Sequence, residues 1–387
     1  MKEDDNMQDF SLLGGPLHWL GCRLGLVRGG TNTIRLGVAL GLSAWGVLIL
    51  LALLQGLGHK VLSLALIGVH VRFLVAIPLF FVCETWVVPR MAEFVRNIVR
   101  SGVVPRNVLP ALRSEVARTT RWTDSWLPDV ICLLLAVLLP LIGTQFHLVG
   151  ATATYDPSRA VAEGTLASRW YWFVCLPLFR FLMFRWLWRL GLWGYFLRRV
   201  AKLDLNLVPT HPDGAAGLGY LEVVHTHFTP LVLAISAFQS ASFAEELSAG
   251  MMTFEAVYPA LALILVVAAV LFLGPLFIFA PKLWACRVKG LSDYMEFASH
   301  YVNDFDRKWL DPGAHTDEPL LGTPDLQSLA DLANSMGIVR TMRWVPLSPR
   351  LLVDLAMPAL VPILPLFLLK YPVDQLAGRL FQMLTGL

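Results

Sequence analysis

The sequence is poor in charged residues. Only 15% of its 387 residues are Asp, Glu, Lys or Arg, and 56% are hydrophobic, whereas soluble domains contain about 25% charged residues. The mean hydropathy is +0.61. These values lie outside the range of soluble domains, so we predict an integral membrane protein whose main partner is the lipid bilayer, and no nucleic-acid partner.

Familiar chemical motifs are also missing. The five cysteines are isolated from one another, without the C-x-x-C pairing of zinc or redox sites, and we expect them to pack in the core. No nucleotide-binding glycine motif lies between a strand and a helix, and no nucleophile has a recognisable context. The polar stretch Met1–Phe10 is not followed by a short apolar core with a cleavage site, so no removable signal peptide is expected. We therefore predict no enzyme and no cofactor.

What the sequence does contain is long apolar runs. Leu36–Leu57, Val130–Val149 and Val257–Ala280 hold no Asp, Glu, Lys or Arg, and each is long enough for a hydrocarbon core of about 30 Å. Four further runs contain or adjoin ionisable residues or prolines: Val61–Val88, Trp170–Leu197, Val224–Ala244 and Leu351–Leu369. We predict an all-α polytopic membrane protein with about seven transmembrane helices.

The distribution of Lys and Arg predicts the orientation of these spans. With the N-terminus in the cytoplasm, the inner segments hold 22 of the 31 Lys and Arg residues, the outer segments hold 5, and the remaining four lie within spans. We therefore predict a cytoplasmic N-terminus and an external C-terminus. The expected organisation is a cytoplasmic segment 1–35, a six-span membrane domain 36–280 with cytoplasmic helices 89–125, a cytoplasmic helical annex 281–350, and a last part 351–387 with the seventh span and an interfacial helix.

Apolar residues recur at alternating spacings of four and three in the annex. They form a heptad seam: Trp284, Val288, Leu291, Met295, Ala298, Val302, Phe305 and Trp309. A stripe of this kind is expected to be buried against another helix. Two interpretations stay open, packing on helices of the same chain, such as the one that begins at Thr323, and contact between subunits of a homo-oligomer.

Ionisable side chains inside spans are candidate functional residues, because at mid-membrane they cost about 2.5–3.5 kcal/mol on insertion scales. Arg72, close to His70, and Arg180 lie well inside their predicted spans, and the three charge-free spans offer them no carboxylate. A salt bridge is therefore not expected for either arginine. We predict that both face a wet pathway that selects anions.

A second pair of arginines lies nearer the inner membrane surface. Arg185 and Arg189 share one helix face because they are four residues apart. Either their side chains extend to the lipid headgroups, or they join the anion pathway. Glu84 of the second span also lies close to the inner surface and is expected to reach water.

Prolines interrupt the seventh predicted span. Pro358, Pro362 and Pro365 each remove a backbone donor, so this helix should be kinked or broken. Carbonyls freed at membrane depth need a partner in the protein or in a water-filled cavity. The break is therefore either a packing feature or a gate that lines the pathway.

The linker between the fourth and fifth spans, Leu203–Leu221, is the most motif-like stretch. His211, Pro212 and Asp213 are typical of a turn. Gly214, Gly217 and Gly219 then allow close packing or a nest of backbone donors for an anion. One interpretation is a packed turn, and the other is an anion-binding vestibule that also includes Arg185, Arg189, Arg198, Arg199 and Lys202.

A metal site is a further alternative next to this linker. Glu222 and His225 lie three residues apart on one helix face, as in helical metal sites, with His211 and Asp213 nearby in sequence. A second such motif is missing, and His227 points away from His225. We therefore predict no bound metal and expect ordinary pairing for these residues at the membrane boundary.

Three phrases of the sequence together carry a resemblance. They are Arg72-Phe-Leu-Val-Ala-Ile-Pro-Leu79, Arg185-Trp-Leu-Trp-Arg189 and the linker Leu203–Leu221. With these phrases, the chain resembles a family of uncharacterised bacterial inner-membrane proteins over most of its length. The resemblance implies a location in the bacterial inner membrane and carries no activity.

Buried charge and a broken helix together predict a channel or transporter. We expect a homo-oligomer that moves a small ion or solute, with anions preferred over cations. Two alternatives remain open: a membrane sensor that signals through the heptad helix, and a metal-dependent membrane enzyme.

Overall fold

The computed structural model describes residues 10–27, 32–58, 63, 66–146, 165–311 and 322–370. The described residues are helical and include no β-strand, so the predicted all-α class is confirmed. The interfacial helix predicted after residue 370 and most of the loop predicted between residues 311 and 322 lie outside these ranges.

We number ten helices within the described ranges. They are α1 (Pro16–Arg23), α2 (Ile34–Leu54), α3 (Ile67–Arg100), α4 (Leu109–Asp124), α5 (Trp126–Phe146), α6 (166–201), α7 (Tyr220–Ser248), α8 (Phe254–Trp309), α9 (Pro324–Thr341) and α10 (349–370). Helices α3 and α6 each contain a π-helical segment, and α8 and α10 each contain a 3₁₀ segment.

Five of these helices are long and apolar enough to cross a membrane, namely α2, α3, α7, α8 and α10. Helices α4 and α5 add a sixth candidate when they are counted as one span bent by 47°. Helix α6, which contains the predicted span Trp170–Leu197 and its three arginines, is not among them. The chain is thus a multi-pass helical membrane protein, while the count of seven spans and their orientation stay predictions.

Helix α8 extends far beyond a bilayer. Its 56 residues correspond to about 80 Å at about 1.5 Å per residue, against a hydrocarbon core of about 30 Å. The linker after α6 lies along this extension, because Lys282 donates a hydrogen bond to the carbonyl of Leu203 and Cys286 contacts the carbonyl of Leu207. Helix α9 packs beside them, so a helical layer adjoins the membrane-spanning part.

The contact face between α8 and α9 differs from the predicted heptad seam. Leu283 and Gly290 are buried, and the Tyr301 hydroxyl donates to the Asp325 carbonyl at 3.0 Å. Four seam residues are instead exposed, with exposed fractions of 54% for Trp284, 49% for Val288, 57% for Met295 and 39% for Val302. Packing of these four residues on the same chain, one of the two open interpretations, does not occur within the described ranges, because the face that contacts α9 lies about one residue further round the helix.

The core lies where α3, α6 and α7 meet, and aromatic rings fill it. Phe179 of α6 stacks on Phe80 of α3, with 6.0 Å between ring centroids, and meets Phe238 of α7 edge-on at 5.1 Å. The segment before α1 inserts its Phe10 ring against Phe196, at 4.5 Å. Large buried rings hold these three helices in close contact, and the polar clusters described next lie between the same helices.

Candidate functional site

A side-chain hydrogen bond joins two π-helical segments in the helical bundle. One is Val71–Ala76 in α3 and the other is Tyr171–Cys175 in α6. Segments of π-helix are rare, and they occur frequently at functional sites. Arg72 belongs to the first segment and Tyr171 begins the second. The guanidinium of Arg72 donates to the Tyr171 hydroxyl at 2.8 Å, which joins the two segments.

The same guanidinium reaches α7. Nη2 of Arg72 donates to Oγ of Ser242 at 2.8 Å and lies 3.8 Å from Oε2 of Glu245. The other carboxylate oxygen of Glu245 accepts from the backbone N–H of Gly68 at 2.7 Å. We call Arg72, Tyr171, Ser242 and Glu245 the Arg72 network. Its salt bridge corrects the expectation that Arg72 has no carboxylate partner.

Arg72 is also less deep in its helix than the apolar run suggested. Helix α3 begins at Ile67, so Arg72 lies five residues after its start. The nearby His70 accepts a hydrogen bond from Trp45 Nε1 through its Nδ1 at 2.9 Å. This contact to α2 gives His70 a positioning role beside the Arg72 network.

Two charged side chains next to the Arg72 network, Glu246 and Arg180, lack ion-pair partners among the described residues. Glu246 is only 2% exposed, and within the described ranges its Oε2 has no hydrogen-bond partner. Arg180 is half-buried and is electrostatically coupled to Arg72 and Tyr171. In the part of the chain that the structure describes, Arg180 forms no hydrogen bond or ion pair. This region thus contains one ion pair, Arg72 with Glu245, together with one carboxylate and one guanidinium that have no partner within the described ranges.

A second charged cluster joins α3, α5 and α6. Arg189 binds Glu84 through both guanidinium nitrogens, at 2.8 and 3.1 Å. Arg185 lies 3.8 Å from Glu84 and 3.6 Å from Asp129, and it donates to the carbonyl of Gly14 at 2.9 Å. The charges of these two arginines and two carboxylates balance. All four side chains are at least 85% buried.

This cluster overturns two expectations. Extension of Arg185 and Arg189 to the headgroups was one open interpretation, and it is excluded because both side chains are directed into the protein. The expectation that Glu84 reaches water was wrong, since Glu84 is 2% exposed. Charges that are paired and buried inside a bundle avoid the cost of contact with lipid.

The linker after α6 forms a packed turn around Asp213. Its carboxylate accepts from the N–H groups of Ala215 at 2.8 Å, Gly217 at 3.2 Å and Gly219 at 2.7 Å, and His211 Nδ1 lies 2.8 Å away. Partial burial alone would raise the pKa of Asp213, but these hydrogen bonds hold it below its usual value. The donors proposed for an anion nest are therefore used by the chain itself. The anion-nest interpretation was wrong.

The other members of the proposed vestibule do not assemble around this turn. Arg199 pairs with Glu115 of α4 at 2.5 Å, and Arg198 and Lys202 are exposed. The positive group that does contact the turn is Arg343, whose backbone N–H donates to the carbonyl of Gly214 at 2.8 Å. Its position, more than a hundred residues later in the chain, gave no local signal in the sequence.

The alternative metal ligands are also engaged. Arg343 Nη1 lies 2.7 Å from one carboxylate oxygen of Glu222, and Ser348 binds the other. His225 is buried, with Nδ1 2.6 Å from the carbonyl of Phe272 and Nε2 accepting from Trp193. Among the described residues, no group of three His, Cys, Asp or Glu side chains could hold a metal. Glu222 and His225 thus have no free ligand atoms.

Helix α10 changes to 3₁₀ geometry at Val361–Ile363. In an i to i+3 pattern, the carbonyls of residues 359 and 362 would accept from residues 362 and 365, both of which are prolines without an N–H. Hydroxyl groups of α7 replace these donors. Ser236 donates to the Ala359 carbonyl and Ser240 to the Pro362 carbonyl, each at 2.5 Å. Pro358 is buried beside them, so packing accounts for the break in this span.

A small apolar crevice lies between α7, α8 and α10, with Phe243, Leu261 and Ile363 in its walls. Its walls are apolar apart from Gln239 and the two serines that bind α10. It is separate from the two charged clusters, and its lining fits hydrocarbon.

Comparison with protein-family models, curated proteins and solved structures finds no match for this chain. The fold and the candidate site therefore define the class: a multi-pass α-helical membrane protein with charged clusters buried between its helices. The chemistry of the site has to be inferred from its own geometry.

Proposed function

We propose that this chain is a membrane transport protein, a channel or a transporter, for a small ion or solute. The observation that carries this proposal is the meeting of two π-helical segments at Arg72 and Tyr171. Ionisable residues within spans mark ion or substrate pathways, and π segments are frequent at functional sites. Helices α3, α6 and α7 would supply the pathway.

The two charged clusters differ in how completely their charges are paired, and this difference supports a pathway beside the Arg72 network rather than at the cluster around Glu84. Around Glu84 every charge has a partner of opposite sign, which is typical of a structural cluster. Beside the Arg72 network, Arg180 and Glu246 have no partner of opposite charge within the described ranges. A group that has no partner in the protein is available to a substrate. We therefore propose that the pathway passes Arg72 and Arg180.

The preference for anions over cations now rests on Arg180. Arg72, Arg185 and Arg189 each have a carboxylate partner, so they offer an anion little net positive charge. Arg180 is half-buried, and a guanidinium facing a wet cavity attracts anions. We propose Arg180 as the anion-binding residue, with Pro358, Pro362 and Pro365 in a helix that packs against α7 and transmits movement.

Seven spans, a cytoplasmic N-terminus and a bacterial inner-membrane location are part of the proposal. The excess of Lys and Arg in alternate segments supports the orientation. The burial of Arg185 and Arg189 against Glu84 supports α6 as an additional span, since paired charges inside the bundle do not meet lipid. The three shared sequence phrases support the inner membrane.

The test is transport by purified protein in liposomes. We expect uptake of small anions by the wild-type protein, a loss of at least tenfold in Arg180→Ala, and partial recovery in Arg180→Lys. Arg100→Ala is the matched control, because Arg100 ends α3 with its side chain 69% exposed. No flux of any ion or small solute, or equal flux in Arg180→Ala and wild type, would contradict the proposal.

A homo-oligomeric or sensory role has its own observation, the exposed apolar stripe of Trp284, Val288, Met295 and Val302 on α8. Cysteine crosslinking in the membrane separates the two partners. Val288→Cys and Met295→Cys should form chain-to-chain crosslinks in a homo-oligomer, whereas Asp293→Cys, on a different face of α8, should not. Crosslinks to a different protein would favour a sensor, and equal crosslinking at residue 293 would count against a defined interface.

A further inference from the structure

Two neighbouring carboxylates near the end of α7 have different surroundings. Glu245 accepts the N–H of Gly68 at 2.7 Å and lies 3.8 Å from the Arg72 guanidinium. Glu246 is equally buried, at 2% exposed, yet its Oε2 has no partner within the described ranges. A buried polar atom without a partner is rare in folded proteins and needs an explanation.

The charges around Glu246 do not neutralise a second carboxylate. The charged and titratable groups that the structure brings to this region are Arg72 of α3, Tyr171 of α6 and Glu245 of α7 itself. Glu255, in the first turn of α8, is exposed. Among the described residues, the positive group beside Glu246 is Arg72, which already binds Glu245. An ionised Glu246 would therefore be a buried charge without a dedicated counter-ion, which is strongly unfavourable.

We infer that Glu246 is a proton-binding site, in which a proton neutralises the buried carboxylate whose Oε2 has no partner within the described ranges. A metal cation fits the geometry less well. Calcium takes 6–8 oxygen ligands and magnesium about six, while the described residues offer a cation only the carboxylate of Glu246, because both oxygens of Glu245 are engaged. The positive charge of Arg72 also repels a cation. A single proton is enough to remove the uncompensated charge of Glu246.

The arrangement provides a route for proton exchange. Arg72 can pair fully with only one of the two adjacent carboxylates at a time. When its guanidinium binds Glu245, Glu246 holds the proton; when it moves to Glu246, that carboxylate is stabilised in its ionised form and the proton leaves. This coupling rests on the proposed transport function, and it makes the substrate of Arg180 an anion that moves together with a proton. The proton site itself does not depend on transport.

A hydrophobic carbodiimide tests the site, because such reagents add to protonated carboxyl groups in apolar surroundings. The carboxyl oxygen bonds to the central carbon and the proton passes to a carbodiimide nitrogen. Mass spectrometry of full-length protein in liposomes should find Glu246 labelled at neutral pH at least fivefold more than Glu245, with labelling that falls as the pH rises. Unlabelled Glu246, or equal labelling of both residues, overturns the inference.

Infrared difference spectra supply a second measurement without a reagent. The wild-type spectrum should contain the C=O band of a protonated carboxyl, and this band should disappear in Glu246→Gln and persist in Glu255→Gln. If sodium at constant pH protected Glu246 from the carbodiimide, the site would bind a metal cation and not a proton, and the inference would be overturned.

Flux measurements distinguish this inference from the proposed function. If both hold, anion uptake should depend on pH in the wild type and lose that dependence in Glu246→Gln. Labelled Glu246 without any flux would contradict the transport proposal and leave the proton site intact. Anion flux together with unlabelled Glu246 would contradict the proton site and leave the transport proposal intact.

Discussion

Arg189 and Glu84 form a bidentate ion pair between α6 and α3, with nitrogen-to-oxygen distances of 2.8 and 3.1 Å. Their side chains are 6% and 3% exposed. A bidentate guanidinium-carboxylate pair fixes both distance and orientation. Because Arg185 lies one turn away on the same carboxylate, this pair sets the register of the two central helices.

Removing the charge of Glu84 should destabilise the protein strongly. In Glu84→Gln the guanidinium of Arg189 stays buried without its counter-charge, which costs about 3–5 kcal/mol. Equilibrium unfolding in detergent micelles measures the loss. The control is Asp304→Asn, which breaks an exposed pair with Arg307 and should cost at most about 1 kcal/mol. Equal shifts in the two variants would show that the buried pair is not structural.

The serine hydroxyls of α7 should contribute to the packing of α10. Ser240→Ala leaves the Pro362 carbonyl without a donor at membrane depth, and Ser236→Ala does the same for Ala359. Hydrogen bonds between membrane helices average about 0.6 kcal/mol, so each variant should lose roughly that amount. Ser299→Ala is the control, since Ser299 is exposed and bonds its own helix. Unfolding free energies indistinguishable from those of the control would exclude this role.

The turn around Asp213 should make stability depend on acid pH. Its pKa in the folded protein lies below the ordinary value of 3.8, so its stabilising contribution is complete above that value and disappears as the pH falls through the folded pKa. Asp213→Asn should lose about 1.5–3 kcal/mol at pH 7, a range typical of hydrogen bonds to a charged group. Its stability should also change less between pH 5 and pH 3 than that of the wild type.

Asp204→Asn, in the same linker, is the matched control for this titration. Asp204 is exposed, so the variant should follow the wild-type curve. Unfolding measured by tryptophan fluorescence across the pH range gives the comparison. A wild-type slope in Asp213→Asn would mean that another carboxylate causes the acid dependence.

The sequence indicated which charged residues were candidates for function, but not how they are paired. Arg72, Arg185 and Arg189 were recognisable because charged residues are costly inside apolar runs. Their partners were not: Glu245 lies 173 positions after Arg72, and Glu84 lies 105 positions before Arg189. Tyr171, Ser242 and Glu246 were missed because a tyrosine, a serine or a carboxylate near a span end is unremarkable until the helices pack.

The face of α8 that contacts α9 could not be predicted from the heptad spacing, for a related reason. Its spacing correctly indicated one continuous helix from the membrane into the annex, which is α8. Spacing does not say which of two adjacent faces the neighbouring helix covers, and α9 covers the face of Gly290 rather than that of Val288.

The sequence by itself determined that this chain is an all-helical, multi-pass membrane protein, because the length and charge of an apolar run are local properties and a bilayer selects for them directly. The tertiary structure alone decided which charges are neutralised, because each pair joins residues from different helices. Within the described ranges it left Arg180 and Glu246 without partners beside the Arg72 network, and these two residues now carry the functional proposals.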